Sequence, residues 1–186
     1  ESLRNHEICF QTNVIGTHTL LDSSVQHGVR AFVFGSSSAV FSDGVDAPRS
    51  VSECPGPISP YGVSKLEGEH LCEYYHGRGL RSVSLRFFNV YGPRQSVASD
   101  YAAVVPIFIR LGLAGRSLTI HGDGLQTRDF VFVQDVAAAI QLAAKSDAHG
   151  TYNLGHGEGT SVLEIAKRVN TLCGGGLSFE YAEGRD

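Results

Sequence analysis

Apolar and polar positions alternate along the chain with two different periods, and their order predicts a fold class. Between residues 6 and 27, Ile8, Phe10, Val14, Ile15, Leu20, Leu21 and Val25 recur at roughly the 3.6-residue helical period. Gly28 is placed to end that helix. Gly16, inside Asn13-Val14-Ile15-Gly16-Thr17, weakens a helix by ~1 kcal/mol against alanine. Its presence predicts that another backbone or a ligand comes close there. Residues 31–35 form a short continuous apolar run, the mark of a buried parallel strand. A second helix is expected from residue 59 to about 77, and a second strand over 81–89, with Val90-Tyr91-Gly92-Pro93-Arg94 as its turn. That strand end places Asn89 at the same carboxyl edge as Ser37.

The pattern continues to the end of the chain. Residues 101–115 read as a helix through Val104, Val105, Ile107, Phe108, Ile109, Leu111 and Leu113, with Pro106 near the start. Short strands are expected at 117–120 and 130–133, separated by the turn His121-Gly122-Asp123-Gly124. Asp135 is read as the cap of a helix over 136–145, followed by a strand at 151–155. Ser161 and Glu164 have capping-box spacing and open a helix ending near Cys173, and one more strand is expected over 177–182. Residues 43–59, with Gly44, Pro48, Pro55, Gly56 and Pro57, carry loop chemistry. Strand, helix, strand in succession predicts a right-handed βαβ unit in a parallel sheet, hence an α/β protein.

Composition narrows the class without naming a chemistry. The chain has 186 residues, enough for one domain or one domain and part of another. It is 42% apolar and 18% charged with a net charge of −4, so it has no basic excess to serve a nucleic-acid surface. No apolar run approaches the roughly 18 residues that span a membrane, and the first residues, Glu-Ser-Leu-Arg-Asn-His, lack the form of a signal peptide. Cys9, Cys54, Cys72 and Cys173 are scattered and form no C-x-x-C pair, which fits free thiols in a reducing cytoplasm. The eight histidines show no ligand spacing, so no metal is expected.

Candidate chemistry sits in two places. Ser59-Pro60-Tyr61-Gly62-Val63-Ser64-Lys65 begins with a residue that can cap a helix and a proline suited to its first turn. Tyr61 and Lys65 then fall one turn apart on one helix face. A fixed ammonium favours phenolate over phenol, and such a phenol can take a proton from an alcohol and return it. Alone, the pattern is short and also fits an ordinary surface helix. Ser36-Ser37-Ser38 follows the first strand at its carboxyl end, where ligands bind in open α/β sheets. Three small hydroxyls there fit either a substrate contact or a polar loop.

Several stretches, in order, carry a resemblance. They are Asn13-Val14-Ile15-Gly16-Thr17, Phe34-Gly35-Ser36-Ser37-Ser38-Ala39-Val40-Phe41, Ser59 to Lys65, Leu85-Arg86-Phe87-Phe88-Asn89-Val90-Tyr91-Gly92-Pro93-Arg94, and Gly122-Asp123-Gly124 through Thr127-Arg128-Asp129-Phe130-Val131. Together they resemble the extended short-chain dehydrogenase/reductases, in particular the NAD-dependent epimerase/dehydratase group typified by UDP-glucose 4-epimerase. The resemblance implies a Rossmann-like doubly wound parallel sheet plus part of a small α/β substrate domain. The expected division is 1–93 for the nucleotide-binding part and 94–186 for an interleaved remainder. No G-x-x-G-x-x-G occurs in the chain. It is therefore expected to be an N-terminally truncated member that begins before the fourth strand, exposes a strand edge the family buries, and stops inside the sugar-nucleotide domain.

The resemblance also implies roles. Tyr61, Lys65 and Ser37 would be the catalytic set: Tyr61 exchanges the proton of a sugar C4 hydroxyl while hydride passes to NAD and back, Lys65 promotes the phenolate and holds the nicotinamide ribose, and Ser37 bonds the same substrate oxygen. Gly35 and Phe88 would lie near the nicotinamide. Asn89, Arg128 and Arg185 match positions that bind the diphosphate of a nucleotide sugar, and guanidinium forks suit phosphate oxygens. Val104, Thr119 and His121 match a uridine pocket. Dehydratases of this group carry Asp-Glu after the catalytic hydroxyl, where this chain has Ser38-Ala39, so epimerisation is favoured over dehydration. UDP-glucuronate decarboxylation remains the nearest enzymatic alternative, and a non-catalytic remnant the alternative of another class. Homodimerisation is expected through helices 6–27 and 59–77.

Overall fold

A computed structural model describes residues 3, 5–43, 48–96 and 103–184. The chain divides into two compact units: one holds the residues up to Phe88 together with Asp135–Leu154, the other Asn89–Gln134 together with the residues from Gly155 onward.

The first unit is built on a parallel sheet. Strands β1 (Ala31–Ser37), β2 (Arg81–Phe87) and β6 (Gly150–Leu154) run side by side in that order, with Ser36 opposite Arg86 and Ser37 opposite Phe87. The first helical stretch covers 6–26 as α1 (His6–Phe10), a π turn (Gln11–Ile15) and α2 (Gly16–Gln26). Gly28, at φ +67°, ends it in the left-handed conformation that glycine adopts without strain. The π turn accounts for the interruption read at residues 13–17, and among the described residues no other backbone comes close to Gly16. A Cβ there would meet only the Gln11 carbonyl at 3.8 Å, an ordinary contact. Helix α3 (Pro60–His76) starts where the sequence placed it, with Ser59 accepting from the Gly62 amide at 3.0 Å and Pro60 in the first turn.

Alternation along the strands explains the layers. Phe34 packs with Leu21, Cys72, Tyr75 and Leu80 under α2 and α3, whereas Val33 joins Val83, Leu85 and Ala143 under α5 (Val133–Lys145). Helices thus cover both faces of the sheet, the doubly wound α/β arrangement. Helix α5 begins three residues before its expected start, so Asp135 lies inside its first turn instead of capping it. The strand before it ends at Phe132 and the helix starts at Val133, which leaves no loop to hold a separate cap residue.

The second unit has its own sheets and core. Strand β3 (Asn89–Tyr91) pairs in parallel with β5 (Thr127–Phe132), which pairs antiparallel with β7 (Gly159–Ser161). Strand β4 (Leu118–His121) pairs with β8 (Phe179–Ala182). Helices α4 (Val104–Leu113) and α6 (Val162–Leu172) enclose Phe108, Leu118, Ile120, Ala166 and Val169. Asn89 therefore does not end the strand 81–89: β2 stops at Phe87, and Asn89 opens a strand of the other unit. Strands β3 and β7 have three residues each, too short for a period-2 pattern to reveal. No helix among the described residues is long and apolar enough to cross a membrane.

Candidate active site

In the first unit, α3 lies along the carboxyl end of β1 and meets it at successive points. Gly62 sits so close to the Ala39 carbonyl that a Cβ would come within 2.2 Å of it. Lys65 Nζ donates to the Gly35 carbonyl at 2.9 Å. Gly68 lies against the Phe34 ring, where a Cβ would come within 2.3 Å. Glu69 accepts from the Ser36 hydroxyl. Ser37 falls between the Gly35 and Ala39 contacts, and Tyr61 stands next to Gly62 on the same helix. The glycines at 62 and 68 are the local reason the approach is possible, since any side chain there would hold the helix off the strand.

The electrostatics follow from this seating. Lys65 Nζ lies 5.1 Å from the Phe34 ring centre and 5.7 Å from that of Tyr61, so the ammonium is sandwiched over two aromatic faces. Burial pushes the Lys65 amine below its ordinary value, and the nearby Cys9 thiol partly opposes this. Tyr61 remains 38% exposed, accessible to a substrate. Ser37 Oγ accepts from the Ala39 amide at 3.2 Å, which leaves its proton for another acceptor. Behind these groups, Asn13 of the π turn donates to Ser64 Oγ at 3.0 Å, and Ser64 donates to the Tyr61 carbonyl at 2.8 Å. π turns inside helices gather at functional sites. Asn13 and Ser64 were quoted in the motifs without a role, and only the fold shows them joined.

The second unit contains a cavity of about 420 Å³ lined by Asn89, Tyr91, Val104, Gln126, Arg128 and Phe130, with Ala103 and Val162 at its edge. Arg128 and Phe130 alternate along β5 and share one face, and Gln126 directly precedes the strand. Helix α4 opens onto the cavity with no side-chain cap at Ala103. Pro106 carries no N–H, so the amides of Val104 and Val105 are the free donors of that end. Arg128 donates to its neighbour's Thr127 carbonyl at 2.8 Å and has no carboxylate partner among the described residues. An uncapped helix start and an unpaired guanidinium in one cavity favour an anion.

The cavity thus brings together Asn89, Val104 and Arg128. Thr119 and His121 stand apart from its lining, on the sheet formed by β4 and β8, where His121 Nδ1 pairs with the Glu183 carbonyl at 3.1 Å. His121 reaches the cavity wall indirectly: its carbonyl accepts from Gln126 at 2.9 Å. Arg185 lies outside the described residues. Gly35 and Phe88 belong to the first unit, and the Phe88 ring packs on Phe41 with centres 6.4 Å apart. Gln126, Tyr91 and Phe130 escaped the sequence reading because β5 was begun at 130. Starting it at 127 exposes the alternation of 126, 128 and 130. All four cysteines are free, and no His/Cys/Asp/Glu cluster fit for a metal occurs among the described residues.

Comparison with known proteins places this geometry. A family model described as the NAD dependent epimerase/dehydratase family matches residues 1–155. The UDP-glucose 4-epimerase of Halalkalibacterium halodurans is 34% identical over 204 residues, covering 100% of this chain and 60% of its own length. The crystal structure of UDP-glucose 4-epimerase with UDP-glucose from Thermotoga maritima superposes with a TM-score of 0.93 at 36% identity, over 100% of this chain and 60% of that one. The Thermus thermophilus UDP-glucose 4-epimerase complex with NAD gives 0.83 at 36% identity, over 95% and 58%. Other reactions occur at similar identity: a dTDP-glucose 4,6-dehydratase of Streptomyces griseus is 34% identical and UDP-glucuronic acid decarboxylase 2 of Arabidopsis thaliana 33%. The chain spans about 60% of the length of the first relative.

Proposed function

The chain belongs to the NAD dependent epimerase/dehydratase family, and from that premise we propose that it carries the proton-transfer and nucleotide-sugar sites of a UDP-glucose/UDP-galactose 4-epimerase. The observation that carries this reading is the seating of α3 on β1, with Lys65 on the Gly35 carbonyl and Gly62, next to Tyr61, against the Ala39 carbonyl, so that the two contacts bracket Ser37 along the chain. The Tyr61 phenolate takes the proton of the sugar hydroxyl and returns it, the Lys65 ammonium favours that phenolate, and the Ser37 hydroxyl holds the same oxygen. Asn89, Arg128 and the free amides of α4 receive the diphosphate in the cavity of the second unit. Val104 stands at its wall, with Thr119 and His121 on the adjoining sheet serving the uridine, and Arg185 is the second guanidinium for the phosphates.

NAD is the cofactor this chemistry requires: when bound, it accepts a hydride from the sugar carbon and gives it back to the other face. The nicotinamide end fits the residues present. Lys65 places a donor beside Gly35, and Phe88 follows β2. The glycine-rich turn that would hold the pyrophosphate is not among the 186 residues. Ser38 and Ala39 replace the acidic pair of dehydratases, which supports epimerisation over dehydration. The Arabidopsis relative keeps UDP-glucuronate decarboxylation as the second reading. The exposed Ile8, Ile15 and Leu20 on helix 6–26 and Tyr74 on α3 support a homodimer through those helices.

The test is turnover of UDP-glucose and of UDP-glucuronate with NAD supplied, alongside titration with each ligand. UDP-galactose formation that Tyr61→Phe reduces by about 10²–10⁴ supports the reading. Saturable UDP-glucose binding without NAD binding or turnover makes the chain a non-catalytic remnant. Pentose product from UDP-glucuronate alone makes it a decarboxylase. A monomer at micromolar concentration in analytical ultracentrifugation removes the homodimer.

A further inference from the structure

We propose that Glu69 and Arg86 are positioning residues that set the Ser37 hydroxyl through Ser36. The proposal rests on the reading of Ser37 as the hydroxyl that faces the substrate. The observations are geometric. Ser36, Glu69 and Arg86 are 2%, 6% and 4% exposed, from three different elements. Arg86 grips Glu69 with two hydrogen bonds, Nε to Oε1 at 2.9 Å and Nη2 to Oε2 at 2.8 Å. Ser36 is the cross-strand partner of Arg86, and its hydroxyl donates to Glu69 Oε1. The remaining guanidinium nitrogen reaches the Val51 carbonyl at 3.5 Å, and the guanidinium lies 4.8 Å over the Phe41 ring.

Stability does not explain this arrangement. A buried ion pair loses much of its Coulomb energy to desolvation, and well-packed apolar residues often serve the fold as well or better. What the pair supplies is a fixed acceptor at one point. The Glu69 carboxylate, locked in both torsion and position by the Arg86 fork, fastens Ser36 from above. Ser37 follows directly in extended conformation (φ −150°, ψ 150°), with its hydroxyl tied, among the described residues, only to the Ala39 amide. Fastening Ser36 therefore fixes the residue whose hydroxyl must stand within reach of a substrate oxygen. Lysine at 86 cannot do this, because a single ammonium lacks the planar fork.

Ser36→Ala cuts the link to the strand and leaves the ion pair in place, so it is the diagnostic variant. Ser84→Ala removes an equally buried serine of β2 and is the control. Two readouts are taken on the full chain: amide hydrogen exchange at Ala39, which reports the bond to Ser37 Oγ, and turnover of UDP-glucose with NAD supplied. Ser36→Ala is expected to speed exchange at Ala39 and to lower kcat, each about tenfold, with KM for UDP-glucose unchanged. Ser84→Ala is expected to shift Tm by a similar amount and neither of the other two. Unchanged exchange and kcat in Ser36→Ala, or equal changes in Ser84→Ala, overturn the proposal while the wild-type turnover leaves the proposed function standing. Absent wild-type turnover, with exchange responding as expected, removes the catalytic role of Ser37 and the proposal with it.

Discussion

Two arginines, one in each unit, show opposite uses of the same side chain. Arg86 is buried and fully engaged: a carboxylate fork, a carbonyl and an aromatic face occupy its guanidinium. Arg128 stands in the wall of a cavity and, among the described residues, bonds only its own neighbour's carbonyl. The first arginine holds protein to protein, so its worth is geometric and is lost with the fold. The second keeps its charge for something that arrives from solution. Helix starts repeat the contrast inside the second unit. α6 begins with a complete capping box, Ser161 accepting from the Glu164 amide while the Glu164 carboxylate accepts from Ser161. α4 begins at Ala103 with nothing. Where a terminus serves the fold its donors are satisfied internally; where it borders the cavity they are left open.

The contrast can be tested by removing each member. Arg86→Ala is expected to have the largest effect, destabilising the fold by about 3–5 kcal/mol because Glu69 is left buried and unpaired; urea unfolding reads it. Gly68→Ala tests the clamp that brings α3 onto β1. A Cβ there would come 2.3 Å from the Phe34 ring, and a loss of about 1–3 kcal/mol is expected from overpacking. Arg128→Ala should reverse the Arg86 result: stability within about 0.5 kcal/mol of the parent, but UDP affinity down about tenfold by calorimetry. Equal destabilisation by the two arginine variants would erase the distinction.

The helix starts give the smallest effects and the finest test. Ser161→Ala should lose about 1 kcal/mol, and Ala103→Ser should gain up to about 1 kcal/mol while weakening UDP binding, since a hydroxyl then competes for the free amides of α4. The capping box also carries a pH signature. Hydrogen bonds from the Ser161 backbone and hydroxyl hold the Glu164 carboxyl below its ordinary value of 4.5. The folded state then binds fewer protons than the unfolded chain, so this contribution is present above about pH 4.5 and is lost as pH falls through the lowered value. Thermal unfolding of Ser161→Ala should show a shallower decline over that acid range than the parent.

Much of this was legible in the linear chain because it is local. Ser59 and Pro60 start α3, Gly28 ends the first helix, and Ser161 with Glu164 opens α6, each through atoms a few residues apart. The errors share one cause. Asn89 was assigned to the strand before it, yet which unit a short strand joins depends on a partner far along the chain, here Phe130. Asp135 was read as a cap because aspartate suits that place, but β5 runs into α5 without the loop a cap needs.

The amino-acid order by itself determined the α/β class, the start of α3, the end of the first helix and the start of α6, the Tyr61–Lys65 spacing and the family, because these rest on neighbouring residues and on motifs kept in order. Only the tertiary structure decided that Ser36, Glu69 and Arg86 meet, that Gln126 joins Arg128 and Asn89 around one cavity, and that α4 opens there uncapped. Contacts between residues tens of positions apart are set by how layers pack, and packing is a property of the assembled elements that no local period encodes.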